Sequence, residues 1–165
     1  MQFLAPLVLM LTVAAPNAWL LTPDGYGPVR IGMTQKQVSA ALKIKLEGEP
    51  VEPGDQCVEM VPAGPDRGLV FMFESNRLAR ISIGAPSTIA TPRGIRIGST
   101  AADVKGAYGK GVKDEPHHYE GPVARYLTYW VRPNTRGVRF ETNDKLRVQT
   151  IHAGGSSIQL VEGCL

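Results

Sequence analysis

The chain says nearly the same thing twice. GPVRIGMTQKQVSAAL runs from Gly27 to Leu42, and RGIRIGSTAADVKGAY runs from Arg93 to Tyr108. Placing Ile31-Gly32 on Ile97-Gly98 brings Thr34 onto Thr100 and Val38 onto Val104, and further on Glu49-Pro50 onto Glu115-Pro116. After small insertions, Asp66-Arg67-Gly68-Leu69 meets Thr135-Arg136-Gly137-Val138, Phe73-Glu74-Ser75-Asn76 meets Phe140-Glu141-Thr142-Asn143, and Gly84 meets Gly154. Order and spacing hold from end to end. Two copies are too few for a solenoid. They point to a duplicated unit whose copies pack side by side.

Each copy has the same grammar. Thr34 and Thr100 stand where an N-cap belongs, with Gln37 and Asp103 three residues on to complete a capping box, the aspartate being the weaker version. A short helix is expected from Gln35 to about Leu42 and from Ala101 to Tyr108. Val38, Ala41 and Leu42 share one face of the first, and Val104, Ala107 and Tyr108 one face of the second. Gly109 stops the second helix. A Pro- and acid-rich loop follows, then three strand-like runs: CVEMV, GLVFMF and LARISIG in the first copy, YLTYWV, GVRFET and KLRVQTIHA in the second. Turn residues separate them. The expected fold is α+β: two tandem repeats, each a short helix on an antiparallel sheet of three to four strands. The boundaries are 1–18 for a leader, 19–90 for repeat 1 and 91–165 for repeat 2.

The first eighteen residues, MQFLAPLVLMLTVAAPNA, carry no charged side chain. The run is too short and too interrupted by proline for a membrane span of about 20 residues. It reads as a secretory signal peptide, with Ala15 and Ala18 as cleavage candidates. The chain has two cysteines, Cys57 and Cys164. An oxidising compartment lets them pair; two separate buried thiols are the alternative. The position of Cys164 beside the C-terminus favours a bridge, since a chain end frays unless tied down. The expected location is therefore periplasmic or secreted. The net charge of +3 is mild, and the 18 basic residues are scattered rather than gathered in a stripe, which argues against nucleic acid as a partner.

The paired phrase resembles that of the β-lactamase inhibitor protein family and of the related single-copy outer-membrane assembly lipoproteins. Ile31-Gly32-Met33-Thr34 with Val38, and Ile97-Gly98-Ser99-Thr100 with Val104, carry the resemblance. It implies a non-enzymatic binding protein whose two units form one concave, aromatic-rich sheet surface that grips an enzyme. An inhibitor or immunity protein acting on a cell-wall hydrolase or a β-lactamase is the leading expectation. A structural or accessory protein of envelope assembly is the alternative. The two cysteines depart from the inhibitor's pattern of one disulfide in each unit.

The partner-binding candidates lie mainly on the second copy's outward sheet face. If Val138, Phe140, Leu146 and Val148 face the helix, then Arg139, Glu141, Arg147 and Gln149 face outward. On the preceding strand either Tyr126, Thr128 and Trp130 or Leu127, Tyr129 and Val131 join them, the latter set being the more core-like. That leaves Tyr126 and Trp130 exposed among arginines, residue types enriched in binding hot spots. DEPHHYE, Asp114 to Glu120, adds His117 and His118 as a solvated loop that contacts a partner. Adjacent histidines in an extended stretch point apart, and the matching loop of the first copy has none, so neither a metal nor another cofactor is expected. A hydrolase using His117 and Glu120 lacks a recognisable motif. His152, near the end of the last strand, reads as an edge residue. No catalytic residue is assigned.

Overall fold

A computed structural model describes residues 19–48, 56–65 and 67–164. The expected leader, residues 1–18, lies outside the described residues. The fold is α+β and mostly sheet. A three-stranded sheet is built from β1 (Leu21–Thr22), β2 (Gly25–Tyr26) and β3 (Val29–Arg30). The main sheet holds β4 (Leu46–Gly48), β5 (Cys57–Pro62), β6 (Leu69–Glu74), β7 (Arg77–Gly84), β8 (Val112–Pro116), β9 (Arg125–Arg132), β10 (Arg136–Thr142) and β11 (Val148–Gly154). Its order is β4-β5-β6-β7-β11-β10-β9-β8, antiparallel throughout. Each half of the sequence thus supplies four consecutive strands. The last strand of one half pairs with the last strand of the other at the centre of the sheet.

The helices fall where the capping signals place them: α1 is Gln35–Leu42 and α2 is Ala101–Tyr108. Both capping boxes are closed. Thr34 accepts from the Gln37 backbone N–H, and Thr100 accepts from that of Asp103 at 3.0 Å while its own N–H donates to the Asp103 carboxylate at 2.7 Å. Those bonds hold the Asp103 carboxyl below its ordinary pKa. Gly109 ends α2 with a φ of 68°, whereas α1 ends on Lys43 in the left-handed region, which the sequence does not signal.

The repeated Ile-Gly phrase has a structural job. Gly32 donates to the Leu78 carbonyl and Leu78 donates back to the Met33 carbonyl, both at 2.8 Å. Gly98 and Ser99 form the same two-bond clasp with Val148, again at 2.8 Å. Each phrase therefore docks its helix onto the final strand of its own half. The glycines have φ of 94° and 88°, a conformation that a Cβ strains.

The core lies between the helices and one sheet face. Val38 from α1 and Val104 and Tyr108 from α2 meet Phe71, Phe73, Ile81, Ile83, Leu127, Phe140 and Ile151. Burying side chains of this size contributes about 1.5–3 kcal/mol each. Val138, Phe140 and Val148 face the core as their alternation requires. Leu146 does not. It takes φ 55° in the turn before β11 and stays 38% exposed, because the strand starts only at Val148. The acidic loop also proves shorter than its sequence suggests, since Val112–Pro116 pairs with β9 as the outermost strand. An edge position tolerates its charges and its terminal proline.

Candidate functional site

The second sheet face, away from the helices, collects the polar side chains of alternate positions. Register places Ser82 opposite His152, His152 opposite Arg139, Arg139 opposite Thr128 and Glu141 opposite Tyr126. Tyr126, Thr128 and Trp130 therefore lie on the outward side, while Leu127 and Tyr129 pack with the core. The face is not open to water, however. Tyr126 is 4% exposed and Arg139 5%. Two segments cover it.

The first cover is the C-terminal tail. A short 3-10 turn, Ser156–Gln159, follows β11 and buries Ile158. Arg80 on β7 donates to the carbonyls of Ser157 at 3.2 Å and Leu160 at 3.0 Å, and pairs with Glu59 at 2.8 Å. Arg139 on β10 donates to the Gln159 carbonyl at 3.1 Å and, through Nε, to Thr128 at 3.1 Å. Ser157 donates to Glu74 at 2.7 Å. Burial draws both arginines below their ordinary pKa, and acidic neighbours oppose the drift. A disulfide joins Cys57 to Cys164 and closes the tail over β5.

The second cover is the loop of residues 117–124 between β8 and β9. His117 stacks on Tyr126 with ring centroids 4.3 Å apart, and the Arg139 guanidinium lies 4.2 Å from the centroid of the same tyrosine. The His117 Nδ1 accepts the backbone N–H groups of Tyr119 and Glu120, both at 3.1 Å. His118 donates its N–H to the Tyr126 hydroxyl at 3.4 Å while its ring turns outward against Tyr119. The two histidines do point apart: the His117 side chain is buried and His118 is exposed.

Between the covers runs a hydrogen-bonded chain that crosses three strands. Ser82 Oγ lies 2.7 Å from His152 Nδ1, and His152 Nε2 lies 3.2 Å from Glu141 Oε1. The other oxygen, Glu141 Oε2, is 3.9 Å from His117 Nε2. The carboxylate thus engages His152 directly, while His117 Nε2 lies near it, buried and without a hydrogen bond. Burial alone would raise the Glu141 carboxyl; the hydrogen bond and charge of His152, with His117 and Arg139 beside it, outweigh burial and leave its pKa lowered. Burial pushes the His152 imidazole down, against the pull of Glu141.

The residues singled out from the sequence therefore divide. Tyr126, Arg139, Glu141 and the His117 side chain form the buried support. Trp130 is half-buried and lies over Gly137, where an added Cβ would sit 2.5 Å from its ring. Arg147 is spent locally, its guanidinium donating to the Gly98 carbonyl at 3.1 Å in the turn before β11. Gln149 is half-buried where the β10–β11 register shifts. His152 is not at an edge: β11 lies between β7 and β10. Sequence reasoning missed Ser82 and Arg80. Their one signal was alternation along LARISIG, which puts them on the face opposite Ile81 and Ile83.

Among the described residues no group of three acidic, histidine or cysteine side chains is placed to hold a metal ion, and no helix is long and apolar enough to cross a membrane. No protein-family model matches this chain, and neither does a curated protein or a solved structure.

Proposed function

We propose that the chain is an exported binding protein of the inhibitor or immunity type, which occludes a periplasmic or secreted enzyme with the 117–124 loop and the adjoining tail. The observation that carries this reading is how that loop is presented. Tyr119 is 60% exposed and Val123 48%, yet both belong to a segment anchored by the buried His117, with two backbone N–H groups on its Nδ1 and its ring on Tyr126. Exposed apolar groups on a preorganised loop lose little conformational entropy when a partner closes on them. An aromatic anchor of this kind is a typical hot spot. Leu160 and Val161 of the tail, which Arg80 and the disulfide fasten over β7 and β5, are separately exposed at 43% and 40%. The disulfide fits an oxidising compartment. On this reading Tyr126, Arg139, Glu141 and His117 position the contact, and His118, Tyr119 and Val123 make it.

The test is affinity capture from the native host's envelope and secreted fractions. The bait is the chain from Trp19 onward, folded under oxidising conditions, and the control is Tyr119→Ala with Val123→Ala. One enzyme captured in stoichiometric amount, lost with the control and slowed when the purified chain is added, is the expected result. Equal capture by both baits would remove the loop from the interface. Capture of an envelope-assembly subunit, with no enzyme, would replace the inhibitor reading by the accessory one.

A further inference from the structure

The chain Ser82–His152–Glu141 does more than fill a sheet face. Ser82 Oγ is in hydrogen-bond reach of an imidazole nitrogen at 2.7 Å, and the opposite nitrogen faces a carboxylate at 3.2 Å. Nucleophile, base and base-orienting acid stand in the order that activates a hydroxyl. The carboxylate also selects the tautomer. A proton on Nε2 satisfies Glu141, whereas a lone pair there would face its negative charge. Nδ1 is then left with its lone pair toward Ser82, and the serine hydroxyl donates. At neutral pH the buried ring is uncharged and free to take that proton. The groups acting on it are Ser82 and Arg80 from β7 and Glu141 and Arg139 from β10.

Ser82 and His152 are themselves buried, at 8% and 7% exposed, but the serine borders a depression that the two covers leave free. Ser82 lines this shallow depression of about 290 Å³ together with Val61, Val70, Gly84 and Thr150. Its apolar walls suit a small acyl or aryl group, and Thr150 places a hydroxyl-bearing side chain beside the serine. The depression is bounded by β5, β6, β7 and β11 and uses no residue of the 117–124 loop.

We propose that Ser82 is a nucleophile that takes the acyl group of small activated esters, with His152 as its base and Glu141 as the positioning residue. Oγ bonds to the ester carbonyl carbon as its proton passes to His152 Nδ1. The tetrahedral adduct collapses, the carbon–oxygen bond to the leaving alcohol breaks, and the alkoxide takes the proton from Nδ1. Water then attacks the acyl-serine by the same route, giving the acid and restoring the hydroxyl. Ester and water become acid and alcohol. This activity is additional to partner binding and departs from the expectation of a chain without chemistry; either reading survives the loss of the other.

The experiment is labelling of the full oxidised chain with a fluorophosphonate probe, read by intact mass and peptide mapping, alongside p-nitrophenol release from p-nitrophenyl acetate. One probe per chain on Ser82 is expected, with none on Ser82→Ala. His152→Gln should slow labelling at least about tenfold, since a general base commonly contributes a hundredfold or more. Glu141→Gln should retain labelling but move the midpoint of its pH dependence downward, because the charge that favours the imidazolium is gone; a purely structural role would leave that midpoint in place. Circular dichroism and thermal melting establish that each variant is folded. A folded wild-type chain that takes no probe, a probe on another residue, or a rate unchanged in folded His152→Gln would each overturn the proposal.

Discussion

Opening the Cys57–Cys164 disulfide should destabilise the fold by several kilocalories without dislodging the tail from the native state. The bridge spans 107 residues. In the chain-entropy model a closed loop of that length restricts the unfolded ensemble by about 4.8 kcal/mol at 25 °C. The native contacts of the tail do not depend on the sulfurs. Arg80 holds the carbonyls of Ser157 and Leu160, Arg139 holds that of Gln159, and Ile158 is fully buried. Most of the loss should therefore come from the freed unfolded chain. For a domain of this size a kilocalorie moves Tm by about 2–4 °C, so reduction should lower it by about 10–20 °C. The assay is calorimetry of the oxidised protein, of the protein in a phosphine reductant, and of the double variant Cys57→Ala/Cys164→Ala, with hydrogen exchange on the reduced sample. Amides of residues 156–160 should stay protected below the melt. A drop under about 3 °C would refute the entropic account. A full drop with those amides exchanging freely would refute the claim that the arginines hold the tail.

Other outcomes follow from single sites. Thr34→Ala and Thr100→Ala should each cost about 1 kcal/mol in denaturant melts, with little change in the slope, because each removes one side of a closed capping box. Arg80→Met should cost about 1–3 kcal/mol and speed exchange at Ile158 and Leu160, since two tail carbonyls lose their donor while Glu59 remains exposed enough to hydrate. Gly137→Ala should shift Trp emission to the red, because the new methyl displaces the Trp130 ring. Acid should destabilise the protein in two steps. The folded-state pKa of His152 is lowered, so below about pH 6.5 the unfolded chain takes a proton that the folded one refuses. Glu141 is also lowered, so its contribution is present above the ordinary carboxylate value and fades as pH falls through the folded one. Melting temperature should fall from about pH 7.5 to about pH 5, and His152→Gln should flatten that portion of the curve. A Tm that rises on acidification would contradict the assignment.

The helices were legible because their signals are local. Thr34 with Gln37 and Thr100 with Asp103 fix where each begins, and the apolar positions that follow fix the buried face. The phase of β9 stayed open in the sequence, because both alternating sets carry aromatic residues; only its register with β10 puts Leu127 and Tyr129 on the core side. The covering of the second face was not legible either. Arg139 and Glu141 alternate with Val138 and Phe140 in the same way whether they meet solvent or a buried ionic network. One clue was present: alternation puts Cys57 on the same face as Glu59, so a bridge to Cys164 had to draw the tail across it. The reach of Ser82 to His152 was beyond sequence, because it depends on β7 and β11 being neighbours, a long-range pairing that no local pattern encodes. The edge strand β8 was hidden by its own composition: charges and a proline make a strand that refuses further partners look like a loop.

The central pairing of β7 with β11 also governs how this protein can fail. Both strands are largely buried, and each is the last of its half to be made. During synthesis the first half finishes β7 well before β11 exists to meet it. An exposed, hydrophobic ladder edge then waits for a partner, and another nascent chain presents an identical one. A chain truncated after Ala90 should therefore self-associate through β7 rather than stay monomeric, which sedimentation would show, and cysteine variants that slow closure should aggregate by the same route. The seam that makes one body of the two halves is also its point of greatest exposure while it is being built.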